Sequence, residues 1–114
     1  MISLDDRPVV HELIVLDLAI RSLQQDYSKL EGLKMRTFYS CWTDLLMKGL
    51  NEAYIVQKRQ LANKGIRIVR WVKIDAYFSD VTIATAGEDV VLRYANQALK
   101  MQVEQMLIEK ATSI

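Results

Sequence analysis

Residues 58–74, KRQLANKGIRIVRWVKI, decide the fold of this 114-residue chain. Up to Asn63 the apolar residues keep a helical spacing, and from Ile66 onward the period changes to two. Gly65, between the two patterns, can adopt the positive φ that commonly ends a helix. Because β-branched residues dominate after this glycine, residues 66–74 are predicted to form a strand.

The helical half of the chain begins with a clear start signal. Asp5 or Asp6 can accept hydrogen bonds from the first free N–H groups of a helix, and Pro8 fits the first turn. Apolar residues then recur at alternating spacings of four and three. This pattern predicts a first helix over residues 8–31, with Gly32 as its stop.

A second stripe with the same spacing predicts another helix over residues 35–63. A helix of about thirty residues measures ~45 Å, whereas a compact domain of this length has a radius of gyration of ~13 Å. The second helix therefore either breaks near Gly49 or projects and pairs with another chain.

Beyond the first strand, residues 81–85 predict a second, with residues 75–80 as the turn of a β-hairpin. Thr85 and Glu88 have capping-box spacing, so a last helix is predicted over residues 88–110. The predicted class is α+β, mostly helical, with the order α-α-β-β-α in a single domain of residues 1–114. It comprises two long antiparallel helices, one hairpin packed on them and a long C-terminal helix.

Composition excludes several classes of protein. The charged fraction of 25% and the hydrophobic fraction of 51% are globular values. No apolar run approaches ~20 residues, and the acidic N-terminus is unlike a signal peptide, so we expect a cytoplasmic protein with no membrane contact. With one Cys, one His and widely spaced glycines, we predict no catalytic residue, metal, cofactor or small-molecule substrate.

Two chemical candidates receive structural interpretations. A nucleophilic pair of Cys41 and His11 would have to meet across two helices, and we interpret them instead as a buried thiol and a surface histidine. Asp17 is a candidate catalytic acid, and we interpret it instead as a flanking residue of the first helix or as an ion-pair partner for Arg21, which lies at i, i+4.

The apolar stripes of three long helices supply more interface than one small domain easily hides. The aromatic set of the second helix, Phe38, Tyr39, Trp42 and Tyr54, indicates core or interface, with a ligand pocket as the alternative. We therefore expect a non-enzymatic interaction or regulatory module that forms a homodimer or binds a protein partner. The candidate helix-interface residues are Leu13, Leu16, Ile20, Leu23, Tyr39, Trp42, Leu46, Leu99, Val103 and Met106.

Charge is unevenly distributed although the net charge is only +1. Residues 53–74 carry no acid and six bases, Lys58, Arg59, Lys64, Arg67, Arg70 and Lys73. Such a block beside Trp71 is able to grip a nucleic-acid backbone. The alternative is that these are ordinary helix-end and edge-strand charges. Arg70 falls on the more apolar strand face, opposite Arg67 and Lys73. If that face is inward, Arg70 is expected to pair with an acid such as Asp75, Asp80 or Glu88.

The same region resembles the winged-helix transcription regulators. The segment 61–66, LANKGI, is similar to the end of their recognition helix, and 82–87, TIATAG, to the second wing strand leading into a dimerising helix. A turn at residues 49–51 would complete the likeness. The resemblance implies DNA binding through the basic segment 58–73, which is the alternative function.

Overall fold

The computed structural model describes residues 2–113, which form three α-helices and one antiparallel sheet. The elements are α1 (Arg7–Tyr27), a 3₁₀ turn (Ser28–Gly32), α2 (Arg36–Ala62), β1 (Arg67–Lys73), β2 (Phe78–Ala84), β3 (Asp89–Ala95) and α3 (Asn96–Thr112). The predicted α+β, mostly helical class is confirmed. The order is α-α-β-β-β-α, with one strand more than the sequence predicted.

The helices α1 and α2 are antiparallel, as expected. Leu16 packs in a buried cluster with Leu46 and Leu50, and further along α1 the Tyr27 hydroxyl donates to the Asp44 carboxylate at 3.4 Å. Residues nearer the C-terminus of α1 thus contact residues nearer the N-terminus of α2.

The second helix does not break at Gly49. It runs unbroken for 27 residues, about 40 Å at the usual rise, in a molecule whose longest extent is 51 Å. Glycine costs a helix about 1 kcal/mol, and burial of Leu46 and Leu50 on either side of it offsets that cost. Since α1 ends at Tyr27, opposite Asp44, residues 36–43 extend past its last α-helical turn, and α2 also contacts the 3₁₀ turn that follows α1.

The predicted side-chain cap of α1 is wrong. Asp6 stands at the N-cap position with helical backbone angles and makes no capping bond. Its carboxylate instead accepts hydrogen bonds from Ser3 Oγ at 2.9 Å and from Lys64 Nζ at 2.5 Å. The lysine, which follows α2, therefore ties the two helix ends together in place of the cap.

Strand β3 corrects the prediction of a single hairpin. The Thr85 amide donates to the Glu88 carbonyl at 2.9 Å, and the Glu88 amide donates to Thr85 Oγ1 at 3.2 Å. These two residues thus close a second hairpin turn rather than cap a helix, and α3 begins at Asn96 instead of residue 88. The extra strand pairs along all of β2, which satisfies the second edge of that strand.

The core lies between one face of the sheet and the helices. Val81 and Ile83 of the central strand are fully buried in a cluster with Leu13 and Ile14 of α1 and Leu99 of α3. The outer face of the sheet carries the alternate residues of each strand.

A β-bulge and a glycine shape β1. The register shifts between Ile68 and Arg70, so both Ile68 and Trp71 pack against the core, whereas simple alternation placed Trp71 on the face opposite Ile68. Gly65 has a φ of 76°, which confirms its predicted helix-ending conformation. A Cβ there would also lie 3.3 Å from the Ala86 Cβ.

Candidate interaction surface and cationic pocket

A line of exposed apolar side chains runs along the N-terminal half of α2. We call it the α2 stripe and define it as Phe38, Trp42 and Leu45, whose spacings of four and three place them on one side of the helix, together with Met35 at the N-cap position before them. Phe38 is 64% exposed, Leu45 52% and Trp42 42%. The Phe38 ring also meets the Tyr39 ring edge to face at 5.7 Å, so Tyr39 borders the stripe.

The other elements of residues 2–113 leave much of the stripe's surface uncovered. The buried face of α2, with Leu46, Leu50 and Leu61, lies roughly 100° around the helix from the stripe at 100° per residue. The turns that carry Phe38 and Trp42 also extend past the end of α1. Because α2 extends past α1 and the stripe is rotated away from the buried face of α2, no other element among residues 2–113 buries this surface.

The structure divides the ten predicted helix-interface residues. Five are buried inside the chain and three are half-buried against its core, so these eight form contacts between the chain's own helices: Leu13, Leu16, Leu46, Leu99 and Val103, then Ile20, Leu23 and Met106. Only Tyr39 and Trp42 are exposed. A second copy can therefore reach only the α2 part of the predicted set.

Cys41 and His11 do not form a site. Cys41 is exposed, so the expectation of a buried thiol is wrong. His11 is half-buried, and its Nδ1 lies 3.2 Å from the Tyr94 hydroxyl with the two rings stacked. Because α1 and α2 are antiparallel, the start of α1 and the start of α2 lie at opposite ends of the helix pair. Burial raises the pKa of Tyr94.

The structure disperses the basic block. All six cations are exposed, but Lys64 is bound to Asp6, and hydrogen bonding raises the pKa of Lys64 and lowers that of Asp6. Lys73, at the far end of β1, lines a cavity of about 500 Å³ next to α3. Lys58 and Arg70 instead line a common cavity, which neither Arg59 nor Arg67 does.

Arg70 does not face inward, so the condition for its expected ion pair is not met. Arg70 is exposed and follows the bulge, which alters the alternation of β1 at this point. The Asp80 carboxylate is occupied by Arg93 in two hydrogen bonds of 2.8 and 3.1 Å. The Arg93 guanidinium holds the pKa of Asp80 below its usual value.

The cavity shared by Lys58 and Arg70 also receives Arg21 from α1. We call it the cationic pocket; its volume is about 360 Å³, and it is lined by Leu13, Arg21, Tyr54, Lys58, Ile68, Val69, Arg70 and Trp71. Lys58 Nζ lies 5.6 Å from the centre of the Tyr54 ring, and Arg21 Cζ lies 4.8 Å from the centre of the Trp71 ring. Three elements thus each contribute one cation to one concave surface.

Asp17 holds the wall of this pocket in place. Its carboxylate accepts a hydrogen bond from Trp71 Nε1 at 2.9 Å and forms a close ion pair with Arg21. The predicted Asp17–Arg21 pair is therefore confirmed. Sequence reasoning missed Arg21 as a pocket residue because it lies 37 positions before Lys58, and only the antiparallel helix packing brings the two together.

Residues 2–113 contain neither a metal-ligating cluster nor a helix that could span a membrane. No group of three or more His, Cys, Asp or Glu side chains in that range is placed to hold a metal ion. Among the described helices, none has the length and apolar character needed to cross a membrane.

Comparison with known proteins identifies the family. The model of the family described as YhjD protein matches residues 1–112, so the chain belongs to the YhjD family. No curated protein and no solved structure matches the chain. The family description names no activity.

Proposed function

We propose that this protein is a non-enzymatic cytoplasmic interaction module that self-associates through the α2 stripe. The observation that carries the proposal is the exposure of four large apolar side chains at the N-terminal end of α2, two of which, Phe38 and Trp42, lie on turns that extend past α1. The matching partner is a second copy, because a helix stripe of this kind can pack against its own symmetry mate in an isologous dimer.

The exposed area agrees with what a dimer needs. The stripe and Tyr39 present roughly 500 Å² of apolar surface, given side-chain areas of about 150–250 Å² and their exposed fractions. That is near the upper end for the largest apolar patch on a monomer. A standard interface covers ~800 Å² per partner and is a little over half apolar, or about 450 Å².

The outer face of the sheet is a weaker candidate. It exposes Val72 and Val91, but the row that contains Val72 continues through the Asp80–Arg93 ion pair. Desolvating such a pair is expensive. The α2 stripe has no charged residue on its line between Met35 and Leu45.

Winged-helix-like DNA binding receives less support from the fold. A helix-turn-helix needs a turn before its recognition helix, whereas α2 is continuous through residues 49–51. The six cations of the basic segment also do not converge on one surface.

The proposal is tested by placing a charge in the stripe and measuring mass. Wild type, Trp42→Glu and a matched control, Ile55→Glu, are compared by sedimentation equilibrium over a wide range of concentration. Ile55 is 53% exposed on the same helix, but lies roughly 140° around the helix from Trp42. Burying an unpaired carboxylate in the interface should weaken it by several kcal/mol.

We expect the wild type and Ile55→Glu to dimerise with the same dissociation constant and Trp42→Glu to remain a 13.2 kDa monomer. Circular dichroism of Trp42→Glu should match the wild type, since Trp42 belongs to none of the buried clusters of residues 2–113. A wild-type monomer at all concentrations, or equal weakening by the two substitutions, would refute the proposal.

A further inference from the structure

We propose that the cationic pocket binds the phosphate group of a small ligand. This inference goes beyond self-association, because the pocket uses a different face of α2: Tyr54 and Lys58 lie roughly half a turn from Phe38. The juxtaposition that carries it is the convergence of Arg21, Lys58 and Arg70 on one concave surface.

The charge of the pocket matches a phosphate. The three cations are offset by one nearby carboxylate, that of Asp17, which leaves a local excess of two positive charges. A phosphate monoester carries −1.5 to −2 near pH 7. Two guanidinium groups supply the planar forks that bind phosphate oxygens in pairs, and Lys58 supplies a mobile ammonium.

The geometry also favours binding over ordinary surface charge. Arg21 is fixed by Asp17 and lies over the Trp71 ring, and Lys58 lies over the Tyr54 ring. Cations held in this way lose less side-chain freedom when they bind an anion. The three cationic residues line one cavity, so their like charges repel one another, and a bound anion would relieve that repulsion.

Pocket size favours a small ligand over a nucleic-acid strand. About 360 Å³ is at the lower end of the ~300–1,000 Å³ range of small-molecule sites. A nucleic-acid backbone would need cations arranged along a track, whereas Arg59 and Arg67 lie outside the pocket and Lys64 is bound to Asp6.

Trp71 lines the pocket and can report occupancy. The chain has two tryptophans, so Trp42→Phe leaves Trp71 as the only one. In this background we would titrate inorganic pyrophosphate at low ionic strength and follow tryptophan fluorescence, with calorimetry as a second readout. A parallel arm would measure sedimentation with phosphatidylcholine vesicles that contain phosphatidic acid.

Matched pairs of substitutions separate the pocket from general charge. We expect Lys58→Ala and Arg70→Ala each to weaken pyrophosphate binding at least tenfold. Their neighbours on the same elements, Arg59→Ala and Arg67→Ala, should change it less than twofold. All four positions are exposed, so the variants should fold as the wild type does, which circular dichroism checks.

Each outcome decides the proposal. Pyrophosphate binding that depends on Lys58 and Arg70 supports a soluble phosphate ester, and vesicle binding with the same dependence but no pyrophosphate binding supports a phosphorylated headgroup. Failure of both arms, or equal losses at Arg59 and Arg67, would overturn the pocket. So would tighter binding of a single-stranded oligonucleotide with similar losses at all four positions, which would indicate a nucleic-acid surface. None of these results depends on the dimer.

Discussion

The contact between Trp71 and Asp17 offers a quantitative test of how β1 is attached to α1. The indole N–H donates to a carboxylate whose side chain is only 17% exposed, at 2.9 Å. Substituting Trp71→Phe removes this donor and keeps an aromatic ring in the core. A hydrogen bond to a charged partner contributes about 1.5–3 kcal/mol, so the variant should lose about 2 kcal/mol of unfolding free energy.

The neighbouring Arg21 adds a smaller amount. Its guanidinium stacks on the Trp71 ring but is partly exposed, and such contacts are worth about 0.5–1 kcal/mol. A phenylalanine ring keeps part of this stacking energy, so the loss of unfolding free energy for Trp71→Phe stays between about 2 and 3 kcal/mol.

A double-mutant cycle isolates the hydrogen bond. Trp71→Phe, Asp17→Asn and the double variant are unfolded in urea and followed by circular dichroism at 222 nm, at protein concentrations low enough that association does not contribute. We expect a coupling energy of about 1–2 kcal/mol. A coupling below about 0.3 kcal/mol, or a loss of less than about 0.5 kcal/mol for Trp71→Phe, would show that the bulge does not deliver Trp71 to α1 as described.

Three further perturbations test other parts of the fold. Leu50→Ala, at a fully buried site, should cost about 2–5 kcal/mol in urea unfolding, whereas Leu45→Ala on the exposed stripe should change the monomer by less than about 0.5 kcal/mol; equal costs would contradict the orientation of α2. Arg93 lowers the folded-state pKa of Asp80, so the ion pair stabilises the fold above the usual carboxyl pKa and this stabilisation is lost as pH falls through the lowered value. Asp80→Asn should therefore reduce the loss of stability below about pH 4, and an unchanged acid unfolding profile would contradict the pairing. Gly65→Ala should cost about 1–2 kcal/mol because of its positive φ, and a neutral result by thermal unfolding would contradict that turn.

The helices and the first hairpin could be predicted from sequence because their signals are local. Apolar spacing places α1 and α2, and the change of period at Gly65 places the start of the sheet. The third strand could not be predicted this way. Val90, Leu92 and Tyr94 alternate toward the core, but Leu92 also fits a helical series that continues into α3, and Thr85 with Glu88 has the spacing of a cap as well as of a turn.

The sites depended on long-range packing that sequence does not carry. The one-residue bulge at Val69 places Trp71 on the core side of β1 together with Ile68. No pattern in the local sequence predicts this bulge. The heptad-like pattern of α2 correctly included Leu46 yet also included Trp42, because spacing alone does not say where α1 ends. The pocket role of Arg21 likewise required the helix pairing to be known.

A second copy is proposed to cover residues 36–45 of α2. Hydrogen exchange, measured by mass spectrometry at low and high protein concentration, tests this most directly. Turns that extend past α1 should open easily in the monomer, so peptides spanning residues 36–45 should become more protected as concentration rises, while the C-terminal turns of α2 and all three strands should not change. Exchange that is independent of concentration, or protection that appears on the sheet instead, would contradict self-association through α2.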